Sequence, residues 1–307
     1  MHNPVMLKEA LEGLALKPDS CVVDATLGGG GHAEAILRVL GVDGVLLGLD
    51  RDPAAIVRVE ERLRGYPAKL LLRRTDFAEI GVVARECGLT RVDGVLMDLG
   101  VSSFQLDCAE RGFSFRYAGP LDMRMDTDAA LTAADIVNGY GEEEIVKILW
   151  RLGEERSARA IARRIVRERD LAPIEDTERL AELVSAVKGG RRGRRHPATK
   201  TFMALRMAVN TELESLRLGL EAGLKLLAVG GRFSVISFHS LEDRIVKHFF
   251  RAHVGCNESL QAGGSCWVGE TPPVRLVRKK PILPGGVEIG ENPRARSAKL
   301  RIAERIG

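Results

Sequence analysis

The chain has 307 residues, of which 45% are hydrophobic and 29% charged, enough apolar material for the cores of two domains. No apolar run reaches the roughly 20 residues of a membrane-spanning helix, which excludes an integral membrane protein of the helical kind. The N-terminus lacks an export-signal pattern and the five cysteines are scattered, so we expect a cytoplasmic protein with reduced thiols.

Charge is distributed unevenly, although the net charge is only +4. Residues 151–206 carry 15 basic and eight acidic side chains, and residues 251–307 carry ten and five. Residues 101–150, in contrast, carry four basic and nine acidic side chains. The two basic regions indicate a polyanionic partner, for which nucleic acid is the usual candidate. On charge alone, solvated helix faces are an equally good explanation.

The first hundred residues alternate between short apolar runs and helical patterns. Continuous apolar runs separated by helices of about ten residues are typical of βαβ units with a buried parallel sheet. The predicted strands are residues 21–24, 45–50, 69–73 and 92–99, and the predicted helices are residues 32–40, 53–63 and 77–87.

The pattern changes after residue 100. A helical insertion interrupts the predicted sheet, which then resumes and ends in an antiparallel edge hairpin. The predicted segments are a long loop at 100–128, helical structure at 141–188, a basic glycine-rich loop at 188–195, a helical stretch at 199–227 that stops at Gly230 and Gly231, a strand at 233–237, a helix at 241–250 and hairpin strands at 275–277 and 297–303.

A glycine-rich loop, residues 28–31, follows the first predicted strand and opens a helix. Glycines let the backbone turn tightly and approach a ligand closely. Asp50 ends the second strand 22 positions after Gly28, where a carboxylate can accept both ribose hydroxyls of an adenosine. The loop also fits the dinucleotide fingerprint G-x-G-x-x-A, so a nicotinamide oxidoreductase stays an alternative.

An acidic residue lies at or beside the end of each of the four strands: Asp24, Asp50, Asp76 and Asp98. Ligands of open parallel sheets lie over the carboxyl ends of the strands. A row of carboxylates there suits S-adenosylmethionine, which carries an ammonium and a sulfonium, better than the pyrophosphate of NAD. Capping of helix N-termini explains any one of these acids, but is a weaker explanation for all four.

Asp98 also begins the run Asp-Leu-Gly-Val-Ser-Ser, where methyltransferases acting on exocyclic amines carry an acidic or Asn-Pro-Pro motif. The lone pair of such an amine is conjugated with the ring, so an acceptor held against its N–H favours the attacking geometry. Asp98 or a nearby backbone carbonyl could be that acceptor, supported by Ser102 or Ser103. A contact with the cofactor alone explains Asp98 at least as well.

Other candidates are less specific. His239 follows the fifth strand between serines, where a structural histidine is the default and a contact with a base or phosphate is the alternative. Residues 113–117 interleave aromatic and basic side chains, as an RNA stacking surface or an inward-packed loop would. We predict no metal site, because spacing is irregular in the one candidate set, His248, His253, Cys256 and Cys266.

Seven motifs run in order along nearly the whole chain. Together they resemble the bacterial small-subunit ribosomal RNA (cytosine-N4)-methyltransferase family, known as MraW. The motifs are Gly28-Gly-Gly-Gly-His32, Leu49-Asp-Arg-Asp-Pro53, Met97-Asp-Leu-Gly-Val-Ser-Ser103, Arg111-Gly-Phe-Ser-Phe115, Gly119-Pro-Leu-Asp-Met-Arg-Met-Asp126, His196-Pro-Ala-Thr199 and Ser237-Phe-His-Ser-Leu-Glu-Asp243.

The resemblance implies an α/β fold, a Rossmann-like seven-stranded class I methyltransferase core formed by residues 1–105 and 208–307. A mainly helical insertion at residues 106–207 would recognise RNA. The implied reaction is S-adenosylmethionine-dependent methylation of N4 of one cytidine in the decoding region of 16S rRNA, within the small ribosomal subunit. The sequence leaves the oligomeric state open, a homodimer included.

The resemblance further implies a set of cofactor contacts, with Phe77 beside the adenine and Asp98 and Gln105 near the methionine end. The chain departs from the common pattern at Gly28 and Gly29, where one bulkier residue is frequent, and at Phe104, where proline is frequent. A non-catalytic RNA-binding assembly factor with the same fold stays an alternative. The implied contacts are Gly30, Gly31, His32, Asp50, Phe77, Asp98 and Gln105.

Overall fold

The structure is a computed structural model and describes residues 4–189, 196–259 and 265–307. It divides into two compact units, Met1–Gly100 with Leu213–Gly307 and Val101–Glu212. The expected boundaries after residues 105 and 207 therefore differ from the observed ones by five residues. Most of the predicted basic loop lies outside the described residues, including Arg191, Arg192, Arg194 and Arg195.

The first unit contains a seven-stranded sheet in the order β3-β2-β1-β4-β5-β9-β8. The remaining two strands, β6 and β7, pair with each other in an antiparallel hairpin. The strands are β1 (Cys21–Asp24), β2 (Val45–Asp50), β3 (Lys69–Arg74), β4 (Val92–Asp98), β5 (Leu227–Ser237), β6 (Cys256–Ser259), β7 (Ser265–Val268), β8 (Val274–Leu276) and β9 (Lys299–Arg305).

Helices connect the strands of the first unit and form most of the second. Those from α5 to α10 lie entirely in the second unit. The helices are α1 (Leu7–Leu14), α2 (Gly31–Leu37), α3 (Pro53–Arg62), α4 (Ile80–Glu86), α5 (Ser103–Asp107), α6 (Ala133–Gly139), α7 (Glu142–Arg151), α8 (Ala158–Arg169), α9 (Thr177–Val187), α10 (Thr199–Val209), α11 (Glu212–Leu226), α12 (Ser240–Val254) and α13 (Gly286–Glu291).

The strand directions confirm the predicted Rossmann-like α/β fold and the closing hairpin. Strands β1 to β5 pair in parallel, β9 pairs antiparallel with β5, and β8 pairs antiparallel with β9. The chain order reverses between β1 and β4, and ligands of such sheets bind in the crevice beyond the carboxyl ends of the strands at that point. Asp24 and Asp98 end these two strands.

The central strands are apolar on both faces because both faces of the sheet are covered. In β1, Val22 and Val23 are fully buried but pack in different clusters, one on each side of the sheet. Each such side chain contributes roughly 1.5–3 kcal/mol by leaving water. The edge strand β3 instead exposes charged residues, Lys69 and Arg74, as edge strands commonly do.

Two stretches that were predicted to be continuously helical are interrupted in the structure. The stretch at 199–227 is broken between α10 and α11 because the buried Asn210 donates to the Met123 carbonyl and accepts from the Met125 amide. Thr211 then takes a left-handed φ of 49°. The stretch at 141–188 likewise consists of three helices, α7, α8 and α9.

Two other local predictions are also corrected. Helix α11 ends at Leu226, and Gly230 and Gly231 lie inside β5, where Gly230 has a φ of 83° and the pairing with β4 shifts register. Glycine tolerates the backbone of such a bulge. The predicted loop at 100–128 contains α5 and a short 3-10 turn at Ala109–Arg111.

In the parts of the chain that the structure describes, no helix is both long and apolar enough to cross a membrane. Within the same parts, no three His, Cys, Asp or Glu side chains are grouped to hold a metal ion. In the candidate metal set, Nδ1 of His253 lies 3.0 Å from the carbonyl oxygen of Phe249. The side chain of Cys266, from the same set, lies outside the described part.

Candidate functional site

The glycine loop between β1 and α2 is braced by the acid that ends β2. Asp50 accepts hydrogen bonds from the Gly28 amide at 2.8 Å and from the Asp52 amide at 2.9 Å, one on each oxygen. Burial raises the pKa of Asp50 to about 6. Each oxygen keeps a second lone pair, so Asp50 can hold the loop and still accept a ligand hydroxyl.

Two glycines of this loop lie against neighbouring segments. Gly30 has a φ of 77°, and a Cβ there would come within 3.0 Å of Val59 in α3. A Cβ on Gly31 would come within 2.9 Å of Pro4, in the segment that precedes α1. Both positions therefore need glycine for close packing, and the first also needs it for its backbone conformation.

Asp24 lies fully buried at the end of β1. One oxygen, Oδ1, accepts a hydrogen bond from the Thr26 amide at 3.1 Å. The other, Oδ2, has no hydrogen-bond partner among the described residues. Burial raises the pKa of Asp24 to about 7. A carboxyl left half-satisfied in the interior costs free energy unless a ligand completes it.

Asp98 lies across the switch point, at the end of β4. Its amide donates to the Thr26 hydroxyl at 2.6 Å, which ties the ends of β1 and β4 together. Its Oδ1 has no hydrogen-bond partner among the described residues. Burial raises the pKa of Asp98 well above the ordinary range, and the charges of Asp24 and Glu242 raise it further.

His32 faces Asp98 from the first turn of α2. Its Nε2 lies 3.0 Å from the Val5 carbonyl and its Nδ1 lies 3.6 Å from Asp98 Oδ2. A carbonyl only accepts, so Nε2 carries a proton. The other ring nitrogen, Nδ1, is directed towards the carboxyl of Asp98, so the ring lies between the N-terminal segment and the end of β4.

His239 is explained locally as the N-cap of α12. Its Nδ1 accepts from the Glu242 amide at 3.4 Å, and its Nε2 lies 3.0 Å from Glu242 Oε1. Glu242 returns the hydrogen bond by accepting from the His239 amide at 3.3 Å, and it also accepts from the Phe238 amide at 2.9 Å. This capping box uses only Nδ1 of the ring, because Nε2 is buried and has no hydrogen-bond partner among the described residues. A contact between His239 and a substrate stays a prediction.

At the end of β3 the chain forms a second, different arrangement. Asp76 caps the following 3-10 turn by accepting from the Ala78 amide at 2.9 Å. Its other oxygen accepts from the Ser215 hydroxyl at 2.7 Å and pairs with Arg51. Phe77 follows, half-buried, at the start of the turn.

Helix α11 makes room for the ring of Phe77. A Cβ on Gly219 would come within 2.6 Å of Phe77 Cδ2, so the ring packs directly on the helix backbone. One face of Phe77 is thereby fixed, and the ring is held in one orientation. Such a ring can stack beside a flat group such as adenine.

Three predicted residues belong to the second unit. Ser102 and Gln105 cap α5 reciprocally, with the Ser102 hydroxyl accepting from the Gln105 amide and the Gln105 side chain accepting from the Ser102 amide. Gln105 is buried. The hydroxyl of Ser103 is also buried and has no hydrogen-bond partner among the described residues. Catalytic or cofactor roles of these residues stay predictions.

The aromatic loop at 113–117 packs mostly inward. Phe113 is 6% exposed and belongs to the core of the second unit. Phe115 stacks on His196 at 4.4 Å between ring centroids and packs edge-on against Phe202. Only Tyr117 of its aromatic residues is largely exposed. The structure therefore favours the inward-packed loop over the RNA stacking surface.

The chain as a whole matches one family of known proteins. The model of the MraW methylase family covers residues 1–306. The chain belongs to the MraW methylase family. A ribosomal RNA small subunit methyltransferase H from Geobacter sulfurreducens is 50% identical, over 99% of this chain and 99% of its own. One from Thermomicrobium roseum is 48% identical, over 99% of this chain and 94% of its own.

A solved structure of an rRNA methylase from Streptococcus thermophilus superposes with a TM-score of 0.46 at 11% identity, covering 100% of this chain and 99% of its own. Members of the MraW family are S-adenosylmethionine-dependent methyltransferases. The residues present fit that cofactor. At the switch point the buried Asp24 and the half-buried Asp98 each have one buried oxygen without a partner among the described residues, which suits a ligand with an ammonium and a sulfonium.

Sequence reasoning missed several residues of this MraW site. Thr26 links the two strand ends, Glu242 adds a third acid near Asp98, and Ser215 and Gly219 arrange the edge around Phe77. Gly219 carried a signal, because a glycine inside a helical pattern commonly marks a close approach. The others are polar residues in ordinary contexts, and only the fold brings them to the site.

Proposed function

We propose that this chain transfers a methyl group from S-adenosylmethionine to ribosomal RNA. The target we propose is N4 of one cytidine in the decoding region of 16S rRNA, within the small subunit in the cytoplasm. One observation carries the proposal: a carboxyl ends each strand at the switch point, Asp24 fully buried and Asp98 half-buried, and each has one buried oxygen without a protein partner among the described residues. The names of the relatives support the substrate class, and the seven motifs support the N4 position.

In this proposal the cofactor lies over β1, β4 and β2. Gly30, Gly31 and His32 would line its methionine part, and Asp50 would accept from the ribose. Phe77 would pack beside the adenine, and Gln105 would contact the methionine end. The ionised forms of Asp24 and Asp98 would then offset the positive charge of the ammonium and the sulfonium.

S-adenosylmethionine supplies an electrophilic methyl group on a sulfonium. The chain must bring the cytosine amine in line with that group and receive the proton that the amine loses. Asp98 would accept a hydrogen bond from the amine N–H and so turn the nitrogen lone pair towards the methyl. Its raised pKa makes it a stronger proton acceptor than an ordinary carboxylate. We propose that Ser102 and His239 support the bound base.

Small ribosomal subunits from a strain that lacks the protein test this function. We expect the protein to transfer labelled methyl from S-adenosylmethionine to 16S rRNA, and mass mapping to place it on N4 of one decoding-region cytidine. Absence of transfer would indicate a non-catalytic assembly factor. Affinity for NAD without affinity for S-adenosylmethionine would indicate an oxidoreductase, and a methyl on another atom would contradict the N4 assignment.

A further inference from the structure

Helices α7 and α8 of the second unit pack side by side and antiparallel. The short connection at 152–157 joins them, and Arg163 Nε in α8 lies 3.7 Å from Glu142 Oε1 at the start of α7. Near the other end of α7, Trp150 is 60% exposed. A single exposed apolar residue is ordinary on a protein surface, so what surrounds Trp150 decides its meaning.

Helix α8 presents a row of arginines to solvent. Arg159, Arg163 and Arg167 are exposed and recur every four residues, so they lie on one face of the helix about 6 Å apart along its axis. The opposite face carries Ile161 and Ile165, which are buried in the core of the unit. The row is therefore a solvent face and has no part in the packing.

The arginines of α8 differ in whether their guanidinium groups have an ion-pair or hydrogen-bond partner in the protein. Arg164 pairs with Glu168 at 2.9 Å, and Arg169 donates to the Val137 carbonyl at 2.8 Å. Arg159 and Arg167, in contrast, have no ion-pair or hydrogen-bond partner within the described chain. Of the solvent-facing row, Arg163 lies 3.7 Å from Glu142, and Arg159 and Arg167 have charges that the described protein does not pair.

Trp150 lies beside this row. Glu142, Val146 and Trp150 recur every four residues, so they form one stripe along α7. Because Glu142 reaches Arg163 in α8, this stripe is the flank of α7 that faces α8. Antiparallel packing then brings Trp150 to the level of the exposed Arg156, at the start of the arginine row.

We propose that this face, formed by Trp150, Arg156, Arg159, Arg163 and Arg167 and hereafter the arginine face, binds single-stranded RNA. Trp150 would stack on an unpaired base while the arginines contact successive phosphates. The inference rests on the proposed function, because it identifies where the same RNA substrate is held outside the reaction site. The inward-packed Phe113 and Phe115 cannot supply this stacking.

The chain has only two tryptophans, which gives a direct test. In a Trp267→Phe variant, Trp150 is the sole tryptophan and reports on its own surroundings. The variant is titrated with an end-labelled single-stranded RNA of 12 nucleotides, while label anisotropy measures binding. We expect Trp150 emission to be quenched in step with binding. Saturated anisotropy with unchanged emission would overturn the proposal.

Affinity measurements separate stacking from charge. Trp150→Ala should weaken RNA binding about tenfold, and Trp150→Phe should restore most of it. Arg159→Ala with Arg163→Ala should lower the slope of log affinity against log salt by about 1.4, two phosphate contacts at ~0.7 each. The matched control replaces two exposed arginines of the first unit, Arg64 and Arg85, and should leave the slope unchanged.

If the Arg64 and Arg85 control lowers the slope of log affinity against log salt by the same amount, the proposal that the arginine face binds RNA is also overturned. If Trp150→Ala binds the RNA normally but binds whole small subunits poorly, the face contacts a ribosomal protein and the RNA proposal is wrong. Unchanged S-adenosylmethionine affinity and melting temperature verify that each variant is folded. Normal RNA binding with normal methylation in all arginine-face variants would reject the face alone, whereas absence of methylation by the unaltered protein would reject the proposed function.

Discussion

In the first unit an acid lies at or just beyond the end of each of four strands, and the acids differ in how the protein satisfies them. At β2 and β3, Asp50 and Asp76 accept hydrogen bonds from the chain on both oxygens. At β1 and β4, Asp24 and Asp98 each have one buried oxygen with no partner among the described residues. All four positions look alike in the sequence.

We infer that Asp50 and Asp76 mainly shape the site, whereas Asp24 and Asp98 mainly bind the ligand. Carboxylates with a partner on each oxygen hold loops and helices in place, and a ligand reaches them only through the remaining lone pairs. Half-satisfied buried carboxyls are costly without a ligand, so they bind a complementary cation strongly when one arrives. We therefore expect substitutions at β1 and β4 to affect chemistry and charge, and substitutions at β2 and β3 to affect geometry.

The largest expected effect is at Asp98. Asp98→Asn keeps the shape of the side chain but removes its charge and its capacity to take a proton. We expect methyl transfer at saturating cofactor to fall about 1,000-fold. The exposed Asp43→Asn serves as a charge-matched control. If transfer at saturation is unchanged and only cofactor affinity falls, Asp98 is a cofactor contact and has no part in the proton transfer.

Asp50 should show the next largest effect. Asp50→Ala removes the acceptor of the Gly28 and Asp52 amides as well as the proposed acceptor of the ribose. We expect cofactor affinity measured by calorimetry to fall roughly 30-fold, with the transfer rate at saturation largely kept. Unaltered affinity would remove Asp50 from the cofactor site.

The pH dependence of cofactor binding tests whether Asp24, one of the two acids with an unpartnered oxygen, faces the positive charge of the bound cofactor. Asp24, with a pKa of about 7, is partly protonated in the free protein at neutral pH. A bound cation favours the ionised form, so binding releases a proton and affinity rises with pH until Asp24 is ionised. We expect roughly tenfold weaker binding at pH 6 than at pH 8.

The Asp24→Asn variant is the control for that measurement, and at pH 7 it should release about half a proton less than the unaltered protein. Stability has the opposite sign. Because the folded pKa lies above the unfolded value of roughly 3.9, Asp24 stabilises the cofactor-free fold fully below about pH 4 and loses that contribution as pH rises through its folded pKa. A pH-independent affinity in the unaltered protein would contradict the comparison.

The smallest effect is expected at the satisfied edge. Ser215→Ala removes one donor from Asp76, but Arg51 and the Ala78 amide remain. We expect a loss of about 1 kcal/mol in unfolding free energy and less than about a threefold change in cofactor affinity. Chemical denaturation measures the first and calorimetry on the same samples measures the second. A loss of cofactor affinity as large as the one expected for Asp50→Ala would contradict this prediction.

Much of the fold could be predicted from the sequence because its signals are local. Apolar runs such as 45–50 and 92–99 identify buried parallel strands whatever surrounds them. The break between α10 and α11 could not be predicted, since Asn210 ends the helix through partners more than 80 residues away. The bulge at Gly230 similarly depends on pairing with β4.

The site residues show the same contrast between local signals, which the sequence reveals, and long-range contacts, which it does not. The sequence indicates which acids end strands, because strand ends are local features. Which of them are satisfied depends on distant partners: the Ser215 hydroxyl donates to Asp76, and the Val5 carbonyl orients His32 towards Asp98. The capping roles are local: the spacing of Ser102 and Gln105 is that of a capping box, and a structural role was the default for His239.

The segment that contacts the glycine loop has a consequence for how the protein is made. Pro4 packs on Gly31, and the Met6 amide donates at 2.6 Å to Glu288, 282 residues later. During synthesis the glycine loop is made before the inserted unit, and α13, which anchors Met6, is made only after that unit. The packing of Pro4 on the glycine loop is therefore secured only when α13 has been translated.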